Sequence, residues 1–215
     1  GGEPTLVPWL LDVLVAAEGA GFKEITLQTN ATRLAKGDLA RRLAAIRGLA
    51  LFVSLPAHDE RGANAVTGRG DLHGPKLDGL HAAMEAGLAV TLNHVVCRQN
   101  LSGVGGFVDW VHQEFVRPLK GLVFSCALPA GRAWEGARAT IPRYRDAAAV
   151  TLAGLRRARS LGIPAHVAAI CGIPTCIEPA LRGFPEPRLL VFDRRIDPDR
   201  VMFPGCSRCS WCVWC

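Results

Sequence analysis

Ala89-Val90-Thr91-Leu92-Asn93-His94-Val95-Val96 is the stretch that decides the fold. It is apolar, β-branched and short, and it lies between two stretches of helical spacing, 76–86 before it and 106–116 after it. Working back toward the N-terminus, Ala50-Leu51-Phe52-Val53-Ser54-Leu55 and Glu24-Ile25-Thr26-Leu27-Gln28-Thr29 read as strands in the same way. A helix is predicted at 37–47 between them, and another over 5–19 in front. In 5–19, Leu6, Leu10, Val13 and Leu14 recur at helical spacing, Pro8 falls in the first turn, and Gly19 and Gly21 close the element. Working forward, Gly121-Leu122-Val123-Phe124-Ser125-Cys126-Ala127-Leu128 and His166-Val167-Ala168-Ala169-Ile170 flank a helix predicted at 142–160. Strands alternating with helices mean right-handed βαβ units and a parallel sheet, so the fold class is α/β. The near-continuous apolar strands fit a sheet covered on both faces. The stretch 56–74 is rich in Gly, Asp and His, has no periodicity, and reads as a long functional loop.

Composition narrows the functional classes. The chain has 215 residues, is 49% hydrophobic and carries a net charge of +6, a balance that excludes a disordered chain. It holds no run of 18 uncharged apolar residues, and its opening lacks the basic-then-apolar pattern of a signal peptide. The expectation is therefore no membrane partner and a cytoplasmic location. Of the 25 basic residues, 21 are Arg and they are scattered, which argues against a specific nucleic-acid surface. Four of the eight cysteines, Cys206, Cys209, Cys212 and Cys215, crowd into the last ten residues. A large apolar body with a dense cysteine tail suits a reducing compartment and a metal or iron–sulfur site better than a disulfide scaffold.

In parallel sheets, functional residues gather at the carboxyl ends of the strands. Those ends are Thr29-Asn30, Ser54-Leu55-Pro56, Asn93 to Asn100 and Ala127-Leu128-Pro129. The chain also opens with Gly1-Gly2-Glu3-Pro4 directly before a predicted helix. Two glycines let a ligand approach the backbone closely, a helix start offers free N–H groups, and Glu3 can accept from an ammonium group.

These pieces together resemble the radical S-adenosylmethionine (SAM) superfamily. The likeness rests on Gly1-Gly2-Glu3-Pro4-Thr5-Leu6, on Leu27-Gln28-Thr29-Asn30-Ala31-Thr32, on Val53-Ser54-Leu55 with Val66-Thr67-Gly68, and on Val90 to Val96 followed by Asn100. The resemblance implies a partial (β/α)6 barrel over 1–176. It implies SAM as cofactor, with Gly1, Gly2, Glu3 and Pro4 at its methionine end and Ser54 and Asn93 toward its ribose and carboxylate. It also implies a [4Fe–4S] cluster, an external electron donor, and a peptide or small-molecule substrate. The family's cluster loop, three cysteines at x3 and x2 spacing after the first barrel strand, is not present, because the chain starts at the glycine motif. The expectation is a fragment missing the first two barrel strands, unable to cleave SAM by itself.

The region 177–205, broken by Pro179, Pro185, Pro187, Pro198 and Pro204, reads as a connector with one short strand at Leu189 to Phe192. It leads to 206–215, where four thiolates at x2 intervals suit iron–sulfur or zinc ligation. Cys206, Cys209 and Cys215 resemble the start of the auxiliary-cluster (SPASM or twitch-like) extension of peptide-modifying radical SAM enzymes, with Cys171 and Cys176 as further candidates. A structural zinc knuckle is the alternative for the tail. For the whole chain, the alternative is a non-catalytic, metal-stabilised α/β binding module. Cys97 and Cys126 read as core residues, and the histidines show no metal-ligand spacing. Anaerobic reconstitution with iron and sulfide separates the readings of the tail. Cys206→Ala or Cys209→Ala should each lower bound iron, and Cys97→Ala should not. Stoichiometric zinc in place of iron would establish the knuckle.

Overall fold

The computed structural model describes residues 2–115, 119–129, 131–168, 172–174, 176–185 and Arg208. A 3-10 turn at Pro4–Leu6 leads to α1 (Leu10–Gly19) and β1 (Ile25–Thr29). Then come α2 (Leu39–Ala44), β2 (Leu49–Ser54), α3 (Glu60–Thr67), α4 (His73–Glu85) and β3 (Ala89–Val96). After α5 (Val104–Glu114) and β4 (Gly121–Cys126), two short helices, α6 (Arg132–Glu135) and α7 (Ala137–Thr140), precede α8 (Tyr144–Ser160) and β5 (Ala165–Val167).

The five strands form one parallel sheet in the order β1-β2-β3-β4-β5, so each strand pairs with its neighbour in sequence. That is the arrangement of a partial barrel. The register sets Thr29 beside Val53, Ser54 beside Asn93, and Val95 beside Ser125. Beyond β5, a 3-10 turn at Pro179–Gly183 returns the chain so that Val167 bridges Pro185 in parallel, its N–H donating to the Phe184 carbonyl at 2.8 Å. The first part of the predicted connector thus lies along the sheet edge. The rest of it, the strand predicted at Leu189 to Phe192, and the tail fall outside the described residues.

Three expectations change. The helix predicted over 5–19 is broken: Val7 donates to the Pro4 carbonyl, Leu10 donates to Val7, and α1 starts only at Leu10. Pro8 has no N–H with which to carry one helix through. The 56–74 loop contains α3, capped by Asp59, whose Oδ1 accepts from the Gly62 N–H at 2.7 Å, and closed by Gly68 at φ 67°. Ala63 is its one buried residue, so α3 shows no apolar period in the sequence. The third correction concerns the faces of the sheet. Leu27, Leu51, Val53, Leu92, Leu122 and Phe124 belong to the hydrophobic core under the helices. The alternate residues Thr26 and Gln28 are exposed, while Phe52, Ser54, Thr91 and His166 are half-buried, and none of these joins that core. That face is therefore open along β1 and partly covered from β2 to β4, where Ala50, Asn93, Val123 and Ser125 are buried.

Tight backbone approach positions α4. Gly79 lies against the Ala31 turn so closely that a Cβ there would overlap the Ala31 carbonyl oxygen. Ala31 itself is fully buried at φ 67°, a strained conformation for alanine. Gly79→Ala should cost about 1–3 kcal/mol by forcing backbone shifts. Gly74→Ala, on the same helix but with open space around it, should cost nothing measurable. Urea denaturation of both variants checks this, and equal losses would contradict it.

Candidate functional site

The glycine motif meets the sheet through one carboxylate. Glu3 caps the Pro4–Leu6 turn, its Oε1 accepting from the Thr5 N–H at 3.1 Å and the Thr5 hydroxyl at 2.7 Å. The same oxygen accepts from the Thr29 hydroxyl at 2.6 Å, and Oε2 accepts from the Asn30 N–H at 2.7 Å. Thr29 and Asn30 are the end of β1, so Glu3 fastens the N-terminal loop to a strand terminus. Burial pushes the Glu3 carboxyl up, but the donors from Thr29, Asn30 and Thr5 outweigh it and hold its pKa below the ordinary value. A carboxylate offers about four lone-pair positions, and Oε2 keeps one beyond its single donor. Glu3 is thus first an internal clamp, with one acceptor position left for a ligand. Gly2 is exposed, and a side chain there would meet nothing within 4 Å, so its open side is free for a ligand. Gly1 lies outside the described residues, and Pro4 starts the turn that Glu3 caps.

Ser54 and Asn93 are register partners on the open face. Asn93 is buried and its Oδ1 accepts from the Ser125 hydroxyl at 2.8 Å. That bond orients the amide and leaves its Nδ2 protons unused among the described residues. The Ser54 hydroxyl is half-buried, while its carbonyl accepts from Lys76 Nζ at 2.7 Å. Lys76, on α4, is buried. Burial lowers its pKa to about 8, and the nearby Glu3 carboxylate partly offsets that shift. A clamped glycine loop, a buried ammonium and the Ser54 hydroxyl therefore lie at the ends of β1 and β2, with the Asn93 amide beside Ser54 inside β3. Such a set can bind an amino-acid end and ribose-type hydroxyls. Among the described residues, no three His, Cys, Asp or Glu side chains come together to hold a metal ion.

The structure thus brings Gly2, Glu3, Ser54 and Asn93 to one end of the sheet. Cys206, Cys209, Cys212, Cys215 and Cys171 lie outside the described residues, and Cys176 is exposed. Cys97 and Cys126 are buried and in no disulfide among the described residues, in keeping with the core role expected of them. Sequence reasoning missed Lys76 and Ser125, and placed Thr29 at a strand end without its bond to Glu3. Lys76 had one legible signal: it is one of only four lysines and stands among the apolar positions of its helix. Thr29 and Ser125 had none beyond their places near strand ends.

No family model matches the chain. A GTP 3′,8-cyclase of Bradyrhizobium diazoefficiens is 32% identical over 180 residues, covering 79% of this chain and 50% of that protein. A probable GTP 3′,8-cyclase of Sulfurisphaera tokodaii is 31% identical over 120 residues, covering 55% of this chain and 37% of that protein. The chain therefore spans half or less of the length of these curated relatives. Among solved structures, SuiB of Streptococcus suis superposes with a TM-score of 0.60 at 19% identity, over 78% of this chain and 37% of SuiB; one such structure has S-adenosylmethionine bound. A domain of a pyruvate-formate lyase-activating enzyme from Bacteroides vulgatus superposes with a TM-score of 0.57 at 17% identity, over 78% of this chain and 94% of that domain.

The Lys76 pKa has a consequence for stability. Between about pH 8, where Lys76 titrates when folded, and about 10.4, the ordinary lysine value, the unfolded chain binds the proton more strongly. Stability should therefore rise with pH through that window, by on the order of 3 kcal/mol if Lys76 acts alone. Below pH 8 the burial cost is present in full. Urea titrations from pH 7 to 10 should show the slope in the parent protein and a flatter profile in Lys76→Met. Parallel profiles would show that Lys76 titrates normally.

Proposed function

The chain belongs to the radical SAM superfamily, and on that premise we propose that it is the part of such an enzyme that holds SAM and faces the substrate. The observation that carries the reading is the Glu3 clamp, which sets an open-sided Gly2 beside the end of β1. The residues fit the cofactor. Gly2 gives the methionine end of SAM close access to backbone, and Oε2 of Glu3 keeps an acceptor position for its ammonium. The Asn93 amide, oriented by Ser125, and the Ser54 hydroxyl are free to meet carboxylate and ribose oxygens. Held by Gly2, Glu3, Ser54 and Asn93, SAM would supply radical chemistry for removing a hydrogen atom from the substrate. The protein's own task is orientation, for which the Asn93 amide held by Ser125 is suited.

The cluster's ligands belong to a longer protein in this reading, and the tail cysteines to an auxiliary cluster. An external electron donor and a cytoplasmic, reducing setting follow from that chemistry. The substrate is a peptide or a small molecule. SuiB has been solved with its precursor peptide SuiA, which supports the first, and the names of the sequence relatives point to GTP, which supports the second.

The test uses the protein extended by the coding sequence upstream of Gly1, reconstituted with iron and sulfide and reduced anaerobically. It should form 5′-deoxyadenosine from SAM, and the 215-residue chain alone should form none. Glu3→Ala in the extended protein should weaken SAM binding about ten- to a hundredfold by releasing the loop and removing a charged acceptor. Gly2→Val should do comparable harm without unfolding, because its side chain enters space that only a ligand would use. Nucleotide binding without 5′-deoxyadenosine would favour the non-catalytic module, and a Glu3→Ala variant with unchanged SAM affinity would remove the glycine motif from the site.

A further inference from the structure

All strands of the sheet are parallel, so the loop that follows β4 lies at the same end as Glu3 and Ser54. It folds into the short helices α6 and α7, joined at Gly136. The turn after β3 holds this hairpin in place. The Arg98 N–H donates to the Thr140 carbonyl at 2.9 Å, and Arg98 Nε donates to the Ile141 carbonyl at 2.7 Å. Helix α7 buries none of its residues, and none of 134–140 joins the hydrophobic core. The hairpin is thus fixed to the rim of the sheet without being part of what holds the sheet together.

A concavity of about 520 Å³ runs along the hairpin, lined by Trp134, Glu135, Gly136, Ala137, Arg138 and Ala139 and open to solvent on one side. Trp134 is 68% exposed, and Glu135 and Arg138 are exposed beside it. A ligand can therefore reach the indole and the guanidinium without any rearrangement. Arg98, bonded to the end of the hairpin, and Arg143, at the start of α8, are exposed too. None of Glu135, Arg98, Arg138 and Arg143 forms an ion pair among the described residues. Glu135 is the one acid of the lining, so three guanidinium groups outweigh it and the rim around Trp134 is positive.

We propose that this hairpin docks an acidic peptide substrate, with a large apolar side chain of the peptide packed on Trp134 and its carboxylates meeting Arg138, Arg98 and Arg143. The proposal rests on the peptide reading of the function given above and adds to it a composition and a place. Trp and Arg carry a large share of the binding energy at protein interfaces, and the planar guanidinium holds a carboxylate through two parallel hydrogen bonds. A free small molecule is disfavoured here. Small-molecule sites bury most of the ligand's surface, and this concavity leaves one side in water. A peptide needs to bury only its anchor residue in the concavity, and the rest of its length is free to run along the rim toward Ser54. A basic peptide is disfavoured by the three guanidinium groups.

The test is fluorescence anisotropy on the 215-residue chain, without SAM or iron, using labelled acetyl-Glu-Glu-Phe-Glu-Glu-amide. One companion peptide carries Ala in place of Phe, and another carries Lys in place of every Glu. The Phe peptide should bind saturably and about tenfold more tightly than the Ala peptide. Trp134→Ala should weaken the Phe peptide about tenfold and leave the Ala peptide unchanged, the coupling expected only if the two rings meet. Arg138→Glu should weaken both acidic peptides, by a factor that shrinks as salt is raised. Both changes are at exposed positions, and urea midpoints equal to the parent's show that the fold is kept. No saturable binding of the Phe peptide, equal losses for the Phe and Ala peptides in Trp134→Ala, or a Lys peptide that binds as tightly would each overturn the proposal. So would GTP that binds more tightly than the Phe peptide and is lost in Trp134→Ala. The measurement needs no SAM, so an extended protein that forms 5′-deoxyadenosine yet ignores the peptide refutes the docking site alone.

Discussion

Four protein donors converge on the carboxylate of Glu3, and the geometry at the carboxyl end of the sheet depends on them. Without that clamp the segment before α1 would have little to hold it, because Leu6 and Trp9 are mostly exposed. With it, the loop carrying Gly2 is fixed over the end of β1, 26 residues away in sequence. The turn that supplies two of the donor partners is itself demanding. Ala31 takes a left-handed conformation, and its N–H donates to the Thr29 hydroxyl while Gly79 of α4 presses on its carbonyl. One carboxylate, one strained alanine and one helical glycine thus lock three separate elements together.

The same carboxylate influences Lys76, whose ammonium is buried under the strand ends and anchored to the Ser54 carbonyl. A buried ammonium is tolerated when an opposite charge and an acceptor share its surroundings. Here Glu3 and the Ser54 carbonyl at the end of β2 provide both. Lys76 therefore connects the loop clamp to the second strand, and the strand register carries the connection onward from Ser54 to Asn93 and then, through a side-chain hydrogen bond, to Ser125.

Alternate residues of these parallel strands give the two faces of one sheet different chemistry. Asn93 and His94 are adjacent in sequence yet serve opposite faces: one amide on the open side, one neutral imidazole within the helical layer. The fold likeness to SuiB and to the pyruvate-formate lyase-activating enzyme domain agrees with this partial-barrel layout.

The α/β class, the order of the strands and the positions of the strand ends were legible in the sequence alone. Apolar runs at Leu49–Ser54, Ala89–Val96 and Gly121–Cys126 are local signals of burial, and their alternation with helical spacing admits few topologies. Gly2, Glu3, Ser54 and Asn93 were singled out through the family resemblance, which rests on short local motifs. Helix α3 was hidden, because a cap at Asp59 and a glycine stop at Gly68 hold an element with one buried residue. The break before α1 was hidden too, because the helical spacing of Leu6 and Leu10 masks the effect of Pro8. Tertiary structure alone decided that Glu3 serves first as a clamp, that Lys76 lies beneath Ser54, and that the His94 ring donates to the Leu55 carbonyl. Each of these depends on which distant backbone carbonyl, N–H or hydroxyl comes within hydrogen-bonding reach, and chain spacing does not encode that distance.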